Sequence, residues 1–395
     1  MMAEGAARTD IGLLGKVSLV LSGTFIAVGL FSIGPLVPRM GVEFAHTPQA
    51  WLVLWVASIG SPAFALASPL AGNVVARLGY RRVYLVSILL FVLAGALPAL
   101  LGDLRAILLL RLLLGISVAG ALTAALDGIG RLPENERATL FGWQALFGSL
   151  SAVLVYPVVG VLAQTNWNLP FVVNLFGLAV LPLALSLPHG LSRDASVTEA
   201  ASRHGLLAGV SISLCLFAGA VGVVMFSMQM VAGFYLVSIG IPDPAKVAMP
   251  LTAMAIASML AAGAYGFIHR LLGTTATFVV ATTIVGLGLL TCATAQALSL
   301  FTCGAILMGG GIAICCANLY SAASAQSAGA SGPAMGVING TIYLAPVVLP
   351  LTVGPISAQL GTGGVFLVFA VIMLASACGF ALRLVGGRSR SAVAG

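Results

Sequence analysis

Long apolar runs follow one another along this chain with only short polar connections, and this pattern limits the fold more than any other feature. With 60% hydrophobic and 7% charged residues in a chain of 395, a soluble domain could not hide its apolar surface from water. Lipid must therefore be the main solvent. A spanning helix needs about 20 apolar residues, so this length supplies about twelve spans and leaves no room for a separate soluble domain.

Hydropathy indicates twelve runs that are long enough to cross a bilayer. We expect all of them to be helices, because lipid offers no hydrogen-bond partner to an open strand edge. The predicted spans are residues 16–38, 49–76, 83–102, 104–129, 138–163, 168–187, 206–238, 246–270, 274–297, 299–326, 333–359 and 362–385. The sequence therefore predicts an all-α integral membrane protein with twelve transmembrane helices.

Basic residues indicate the orientation in the membrane. When the loops are assigned alternately to the two sides, thirteen lysine and arginine residues fall on the side of the termini and three on the other. Such an excess is typical of the cytoplasmic side. We therefore expect a cell membrane (inner membrane) protein with both termini in the cytoplasm. The same asymmetry accounts for the net charge of +7, so we expect no nucleic-acid partner.

Glycines and prolines repeat across the longest polar connection. Seven pairs are separated by 194 positions, among them Gly72 with Gly266 and Gly115 with Gly309. The repeat predicts a duplicated chain in which a transport path lies between two parallel halves. The expected regions are a cytoplasmic N-terminal segment at 1–15, six-helix bundles at 16–187 and 206–387, a cytoplasmic linker at 188–205 and a cytoplasmic tail at 388–395.

A short basic loop follows the second predicted span. Its marked positions are Gly72, Arg77, Gly79, Arg81 and Arg82. The glycines allow a close helix approach and a tight turn, and the arginines stay at the cytoplasmic interface. The loop resembles a signature of the major facilitator superfamily, although Ala76 and Tyr80 replace the usual acid and the first basic residue. The resemblance implies a gating loop, and a simple basic turn is the alternative.

The fourth predicted span carries Arg111, Gly115 and Ala119 at steps of four, which resembles a second motif of that superfamily. Arg111 lies about 10 Å below the outer end of its span, at 1.5 Å per residue. A guanidinium at such a depth costs about 3 kcal/mol on insertion scales, so it must face a polar interior or a partner. We predict a role in substrate binding or coupling, with a structural bond to helix carbonyls as the alternative.

Asp127 is the only acid that lies clearly inside a predicted span. Sixteen residues separate it from Arg111, which corresponds to about 24 Å along the helix axis and about 160° around it, so these two residues cannot pair. The superfamily resemblance implies that an acid here contacts the loop after the second span. Arg77 or Arg81 is then the expected partner, and a latch is favoured over a proton carrier.

Three further segments resemble the drug:proton antiporter branch of the superfamily. They are residues 137–142, 156–160 and 166–171, and Tyr156 stands where that branch usually has glycine. The resemblance implies the major facilitator fold, with twelve helices in two pseudo-symmetric six-helix bundles. It also implies secondary transport by alternating access, in the direction of export.

Polar amides, aromatic rings and methionines within the spans are candidates for the walls of a binding cavity. Amides in lipid-spanning helices need partners and should point inward, while methionine and aromatic side chains suit varied ligands. Ordinary helix packing is the alternative for each of them. Together with Arg111, the candidates are Trp55, Gln144, Tyr156, Met225, Met228, Gln229, Phe234, Tyr235, Asn318, Asn339 and Tyr343.

These features favour a secondary transporter that exports small amphipathic or hydrophobic organic molecules. The chain has no nucleotide-binding loop, so ATP is not expected to be its direct energy source. The first span contains no acid. Proton coupling is therefore expected to be weak, to use an atypical group such as Asp127, or to be carried by the substrate's own ionisation.

The main alternative is a carrier of small organic anions, of the carboxylate or siderophore type, that uses Arg111. An intramembrane enzyme is a remote third possibility, because the histidines and cysteines form no cluster of nucleophile, base or metal ligands along the sequence. The cysteines are expected to be buried free thiols. We expect a monomer without cofactor or metal, whose partners are its substrate, the lipid bilayer and, where coupling exists, protons.

Overall fold

A computed structural model describes residues 11–132, 134–188, 210–326 and 331–393. These residues are predominantly helical, and no strand occurs among them. Helices are the expected solution, because they satisfy each backbone N–H and C=O within the segment itself. Residues 1–10, most of the predicted linker and the end of the predicted tail lie outside the described residues.

Nine helices in the described part of the chain are long and apolar enough to cross a membrane. Two of these are each a pair of helices joined at a glycine, Gly273 or Gly361, and one shorter apolar helix completes a set of twelve. The twelve are α1 (Leu13–Glu43), α2 (Leu52–Leu78), α3 (Tyr80–Leu100), α4 (Leu104–Gly130), α5 (Glu134–Thr165), α6 (Leu169–Leu185), α7 (Ile212–Ser238), α8 (244–272), α9 (274–294), α10 (Leu298–Gln326), α11 (331–360) and α12 (362–393). The predicted fold class is confirmed.

Span α1 is the least regular of these helices. Its middle contains a π-helix at Ala27–Phe31 and a 3-10 turn at Gly34–Leu36, between α-helical ends. A π-helix widens the hydrogen-bond ladder locally and is frequent at functional sites. The backbone carbonyls of α1 near mid-membrane are therefore more accessible to side chains of neighbouring helices.

Gly79 and Gly273, which are 194 positions apart, each separate two successive helices. Gly79 separates α2 from α3 with φ 84°, and Gly273 separates α8 from α9 with φ 71°. Such angles are strained for residues that carry a Cβ. The tight turn predicted at Gly79 is therefore present, and its repeat 194 positions later has the same backbone handedness.

Contacts divide the described residues into two compact units. The first contains residues 11–32, Ile59–Val155 and 168–188. Its packing includes Phe25 edge-on to Phe91, with ring centroids 4.7 Å apart, and a buried hydrogen bond of 2.6 Å from the Tyr84 hydroxyl to the Ser18 carbonyl. These contacts join α1 to α3 near the centre of the unit.

The second unit contains Ile33–Ser58, Tyr156–Trp167 and the described residues from 210 onward. Its core includes Phe278, Leu319 and Ile342, which bring α9, α10 and α11 against α7. Half-buried tyrosines and Met225 pack on the edge of this core. The second unit thus has an apolar interior with a more polar border.

One helix contact occurs in both units at equivalent positions. A Cβ added at Gly115 would collide with the Gly60 carbonyl, and one added at Gly309 would collide with the Met254 carbonyl. Both partners of the second contact lie 194 positions after those of the first. The glycines let two helix backbones touch, as is common between helices in lipid. The step of 194 residues found in the sequence therefore also relates these two helix contacts.

Candidate functional site

Arg111 lies inside the first unit, where its Nη1 atom donates a 2.8 Å hydrogen bond to the carbonyl of Gly29 in the π-helical part of α1. Its side chain is 4% exposed, and its guanidinium lies 5.7 Å from the centre of the Phe171 ring. The Nε atom of Arg111 has no hydrogen-bond partner among the described residues. The guanidinium thus binds one helix carbonyl through Nη1, while its buried Nε remains available as a donor.

Gln144 joins α5 to α1 in the same unit. Its Nε2 atom donates a 2.6 Å hydrogen bond to Ser22 Oγ. A Cβ added at Gly23 would collide with the Gln144 carbonyl, so these two helices cross very closely. We predicted that the Gln144 amide points inward to a hydrogen-bond partner, and Ser22 is that partner.

The acid near the end of α4 forms an ion pair within its own helix. The Oδ2 atom of Asp127 lies 2.8 Å from Nη2 of Arg131, which is one helical turn further along the chain. The Arg131 guanidinium also lies 5.0 Å from the centre of the Tyr80 ring, a cation–π arrangement. Tyr80, which replaces a basic residue of the superfamily signature, thus supplies an aromatic partner at this position. Pairing of Asp127 with Arg77 or Arg81 stays a prediction.

The arginines and glycines of the basic loop after α2 differ in their surroundings. Arg81 donates a 2.9 Å hydrogen bond to the Leu185 carbonyl at the end of α6, while Arg77 and Arg82 are exposed. A Cβ added at Gly72 would meet nothing within 4 Å. The close helix approach that the sequence predicts at Gly72 is therefore not found, since α2 has no neighbour at that point among the described residues.

Two cavity candidates bind each other in the second unit. The Tyr156 hydroxyl donates to Gln229 Oε1 at 3.1 Å, and Gln229 Nε2 lies 2.7 Å from the same hydroxyl. Both side chains are buried, and a Cβ added at Gly34 would come within 3.0 Å of Gln229 Oε1. This polar pair therefore joins α1, α5 and α7.

Further along the same helices, polar contacts join the ends that lie opposite the termini. Arg39 donates hydrogen bonds to the carbonyls of Ala163 and Gln164, at 3.2 and 2.9 Å. Gln164 Nε2 donates a 2.6 Å hydrogen bond to Asp243, which also caps the start of α8. The bond from Gln164 holds the pKa of Asp243 below its usual value. We call Arg39, Gln164 and Asp243 the outer clasp.

A border of half-buried polar and sulfur-containing side chains lies on α7, α10 and α11. The Tyr320 hydroxyl donates a 3.0 Å hydrogen bond to Asn339 Oδ1, and the Tyr343 ring packs edge-on to Phe226 at 5.8 Å. Met225 is half-buried against the same core. We call Met225, Tyr320, Asn339 and Tyr343 the tyrosine strip. It offers hydroxyl, amide and apolar surface without a charge.

A second network lies at the end of α8. His269 Nδ1 is 3.1 Å from Asn318 Oδ1, and the Tyr265 hydroxyl donates to the same oxygen at 3.3 Å. Asn318 is fully buried and donates a 2.9 Å hydrogen bond to the Thr274 carbonyl. This candidate amide therefore connects α10 to the chain break at Gly273.

The remaining candidates lie apart from these networks. The Tyr235 hydroxyl is 2.7 Å from the Ala295 carbonyl, and its ring stacks on Phe301. Met228 is fully buried, and Phe234 packs against Gly41. Trp55 is half-buried in α2. The structure thus shows packing contacts for Tyr235, Met228 and Phe234.

Sequence reasoning missed Tyr320, Tyr265 and the contact of His269 with Asn318. A signal existed for the first, because Tyr320 follows Asn318 in an otherwise apolar run. Tyr265 precedes His269 by four residues, the spacing at which helical side chains meet. Among the described residues, no group of three or more histidine, cysteine, aspartate or glutamate side chains could hold a metal ion.

Comparison with known proteins identifies the family. Residues 19–332 match the model of the Major Facilitator Superfamily. No curated protein matches the sequence significantly. Among solved structures, the nucleoside transporter NupG has a TM-score of 0.70 at 16% identity, covering 94% of this chain and 98% of its own.

Two further structures of sugar transporters have the same fold. A D-xylose-proton symporter has a TM-score of 0.71 at 15% identity, covering 93% of this chain and 96% of its own. The xylose transporter XylE from E. coli, in a partially occluded inward-open conformation, has a TM-score of 0.71 at 14% identity and covers 93% and 95%. The match to the family model covers most of the sequence, and the chain therefore belongs to the major facilitator superfamily of multi-pass membrane transporters.

Proposed function

We propose that this transporter exports small amphipathic or hydrophobic organic molecules by alternating access. The observation that carries the proposal is the tyrosine strip, where three helices present hydroxyl, amide and thioether groups and no charge. Such a surface suits ligands that combine apolar area with a few hydrogen-bonding groups. The solved structures with the same fold are under 20% identical, so their substrates do not carry over to this chain.

Alternating access is supported by the outer clasp. It joins Arg39 of α1 to the end of α5, and Gln164 of α5 to Asp243 at the start of α8, on the side opposite the termini. The bonds from Arg39 to the Gln164 carbonyl and from Gln164 to Asp243 are exposed, so water can replace them when they open. With cytoplasmic termini, as the distribution of basic residues predicts, the clasp closes the extracellular side.

Proton coupling, where it exists, is proposed to be weak, to use Asp127 or to follow the substrate's ionisation. Asp127 is already paired with Arg131 near the end of α4, which supports a latch more than a proton carrier. Proteoliposomes with an imposed pH gradient test this proposal. A robust proton flux that is lost only when an interior residue other than Asp127 is mutated would contradict it.

A carrier of small organic anions is the second candidate, and one observation favours it. The buried Nε atom of Arg111 has no hydrogen-bond partner among the described residues. A carboxylate could accept a hydrogen bond from it. Against it, the side chain is 4% exposed and already donates to Gly29. A ligand would have to reach this buried side chain, so we favour the first candidate.

A ligand screen by thermal unfolding of the detergent-solubilised protein distinguishes the two. A panel of uncharged amphipathic compounds is compared with a panel of small carboxylates, because a ligand that prefers the folded state raises the unfolding temperature by mass action. We expect stabilisation by members of the first panel. Efflux of these compounds from proteoliposomes then tests transport itself.

Variants locate the site of these ligands. Asn339→Leu removes the partner of the Tyr320 hydroxyl and should weaken binding about tenfold, the size of one hydrogen bond to a ligand. Thr291→Val removes an exposed hydroxyl that lies outside the tyrosine strip and bonds only within its own helix, and it is the control. If only carboxylates stabilise the protein and Arg111→Gln abolishes their effect, the anion carrier is correct and our proposal is wrong.

A further inference from the structure

A cavity of about 400 Å³ lies in the second unit, among the ends of α7, α9, α10 and α12 on the side of the termini. Its described lining has a polar part that includes Ser211, Thr274, Gln326 and Arg383. The cavity is separate from the tyrosine strip, none of whose residues lines it. It therefore needs an explanation other than the transport path.

The polar and the aromatic residues that line this cavity lie at different depths along the helices. Phe217 lies six residues further into α7 than Ser211, and Phe278 lies four residues further into α9 than Thr274. Phe380 likewise precedes Arg383 by three residues in α12. At 1.5 Å per residue, the rings lie about 5 to 9 Å closer to the membrane centre than the polar groups. The cavity is thus polar at the interface and aromatic below it.

The aromatic wall is a packed unit. The rings of Phe278 and Phe380 stack with centroids 4.9 Å apart, and Phe217 lies edge-on to both, at 5.5 and 5.0 Å. Three rings in mutual contact keep their positions when the cavity is empty. They provide a preformed apolar surface for a hydrocarbon chain.

The polar rim carries one positive charge and several hydrogen-bonding groups. Arg383 is the only charged residue among the described lining, and it is exposed in the second half of α12. The backbone N–H of Ser211 donates a 3.0 Å hydrogen bond to Gln326 Oε1, so these two lining residues are joined. A guanidinium with nearby hydroxyls is suited to a phosphate group, which it can bind in a bidentate manner.

We propose that this cavity binds the headgroup of one anionic phospholipid. The phosphate would lie against Arg383, and the first carbons of an acyl chain would lie on the three rings. A volume of about 400 Å³ suits a headgroup with the start of its chains, since ligand sites generally measure about 300 to 1,000 Å³. The remaining chain length would continue into the bilayer. The inference goes beyond substrate transport and does not depend on it.

Lipid binding to the purified full-length protein in detergent tests the proposal without a transport substrate. Phosphatidylglycerol, phosphatidylcholine and inorganic phosphate are added separately, and bound lipid is counted by native mass spectrometry alongside the unfolding temperature. We expect phosphatidylglycerol to be retained and to raise the unfolding temperature, with little effect of phosphatidylcholine. Binding of inorganic phosphate with equal effect would show a simple anion site and overturn the proposal.

Two variants and a control assign the binding to this cavity. Arg383→Gln should reduce retention of phosphatidylglycerol about fivefold, the contribution of one basic residue to an anionic lipid surface. Gly379→Leu should block binding by filling the cavity, because a Cβ at this lining residue would meet nothing within 4 Å. Arg82→Gln removes an exposed arginine in the other unit and should leave the retention of phosphatidylglycerol unchanged. Equal retention by Arg383→Gln and Arg82→Gln, or full retention by a folded Gly379→Leu protein, would refute the site.

Discussion

Single glycines set the distance between helices in both units. Gly115 against Gly60 and Gly309 against Met254 are backbone contacts that no larger residue would allow. Lipid chains are as apolar as leucine, so helices in a bilayer gain most from such close packing and from hydrogen bonds between helices. Gly72 and Gly266 belong to the same repeat but have free space around them. The repeated glycines therefore serve two purposes that sequence alone does not separate.

This difference leads to a prediction on stability. Gly115→Ala and Gly309→Ala should each lower the free energy of unfolding by about 1 to 3 kcal/mol, because the added methyl group overpacks a helix contact. Gly72→Ala and Gly266→Ala are the matched controls and should be neutral or slightly stabilising, since alanine favours a helix. Thermal unfolding in detergent measures all four. A Gly115→Ala protein as stable as the Gly72→Ala protein would contradict the prediction.

The partners of the polar residues could be predicted only in part. Burial of Arg111 followed from its depth in an apolar run, and the exclusion of Asp127 as its partner followed from helix geometry. The bond to the Gly29 carbonyl could not, because it depends on a π-helix in another span. Such contacts are set by tertiary packing, which residue spacing within one helix does not report.

At the scale of helices, the chain breaks were better predicted than the helix interiors. Lipid requires helices of a minimum length, so the number of spans followed from hydropathy. The predicted first span, residues 16–38, is a composite helix over Leu13–Glu43 in the structure. Its π-helical and 3-10 segments have no hydropathy signal, since they change the hydrogen-bond register and not the composition.

The breaks at Gly79 and Gly273 permit a test at this scale. Gly273 has φ 71° and ψ 173°, a region that is almost exclusive to glycine, so Gly273→Ala should cost about 1 to 3 kcal/mol of stability. Gly263→Ala, in a helical part of α8 with free space around it, is the control and should be neutral. Folded yield from membranes and thermal unfolding check both variants. Equal behaviour of the two would show that the break tolerates a side chain.

At the scale of the whole molecule, the fold followed from the sequence and the substrate did not. Apolar runs, their number and the step of 194 residues are global properties that few other folds could satisfy. A substrate site depends on a few side chains, and the tyrosine strip contains Tyr320, which no motif marked. The closed state of the outer clasp was likewise not predictable, because its residues come from α1, α5 and α8 and have no common sequence signature.

The outer clasp should open and close once in every transport cycle. Cysteines introduced by Gln164→Cys and Asp243→Cys replace two side chains that are 2.6 Å apart in the closed state, so a short bismaleimide should join them. We expect the crosslinked protein to lose transport of its substrate in proteoliposomes, because a clasp that cannot open prevents alternating access. The two single cysteine variants, treated in the same way, should remain active and show that the reagent itself does no harm.

Acid provides an independent test of the same clasp. The pKa of Asp243 is lowered in the closed state, so its ionised carboxylate stabilises that state. This stabilisation is fully present above the ordinary aspartate pKa of about 3.9 and is lost as pH falls through the lowered value. Acidification from neutral pH to below that value should therefore lower the unfolding temperature of the wild-type protein in detergent. In the Asp243→Asn protein, which keeps a helix cap but has no carboxylate to titrate, this decrease should be smaller. Normal transport by the crosslinked protein, or an equal decrease in the Asp243→Asn protein, would mean that these bonds do not hold the clasp closed.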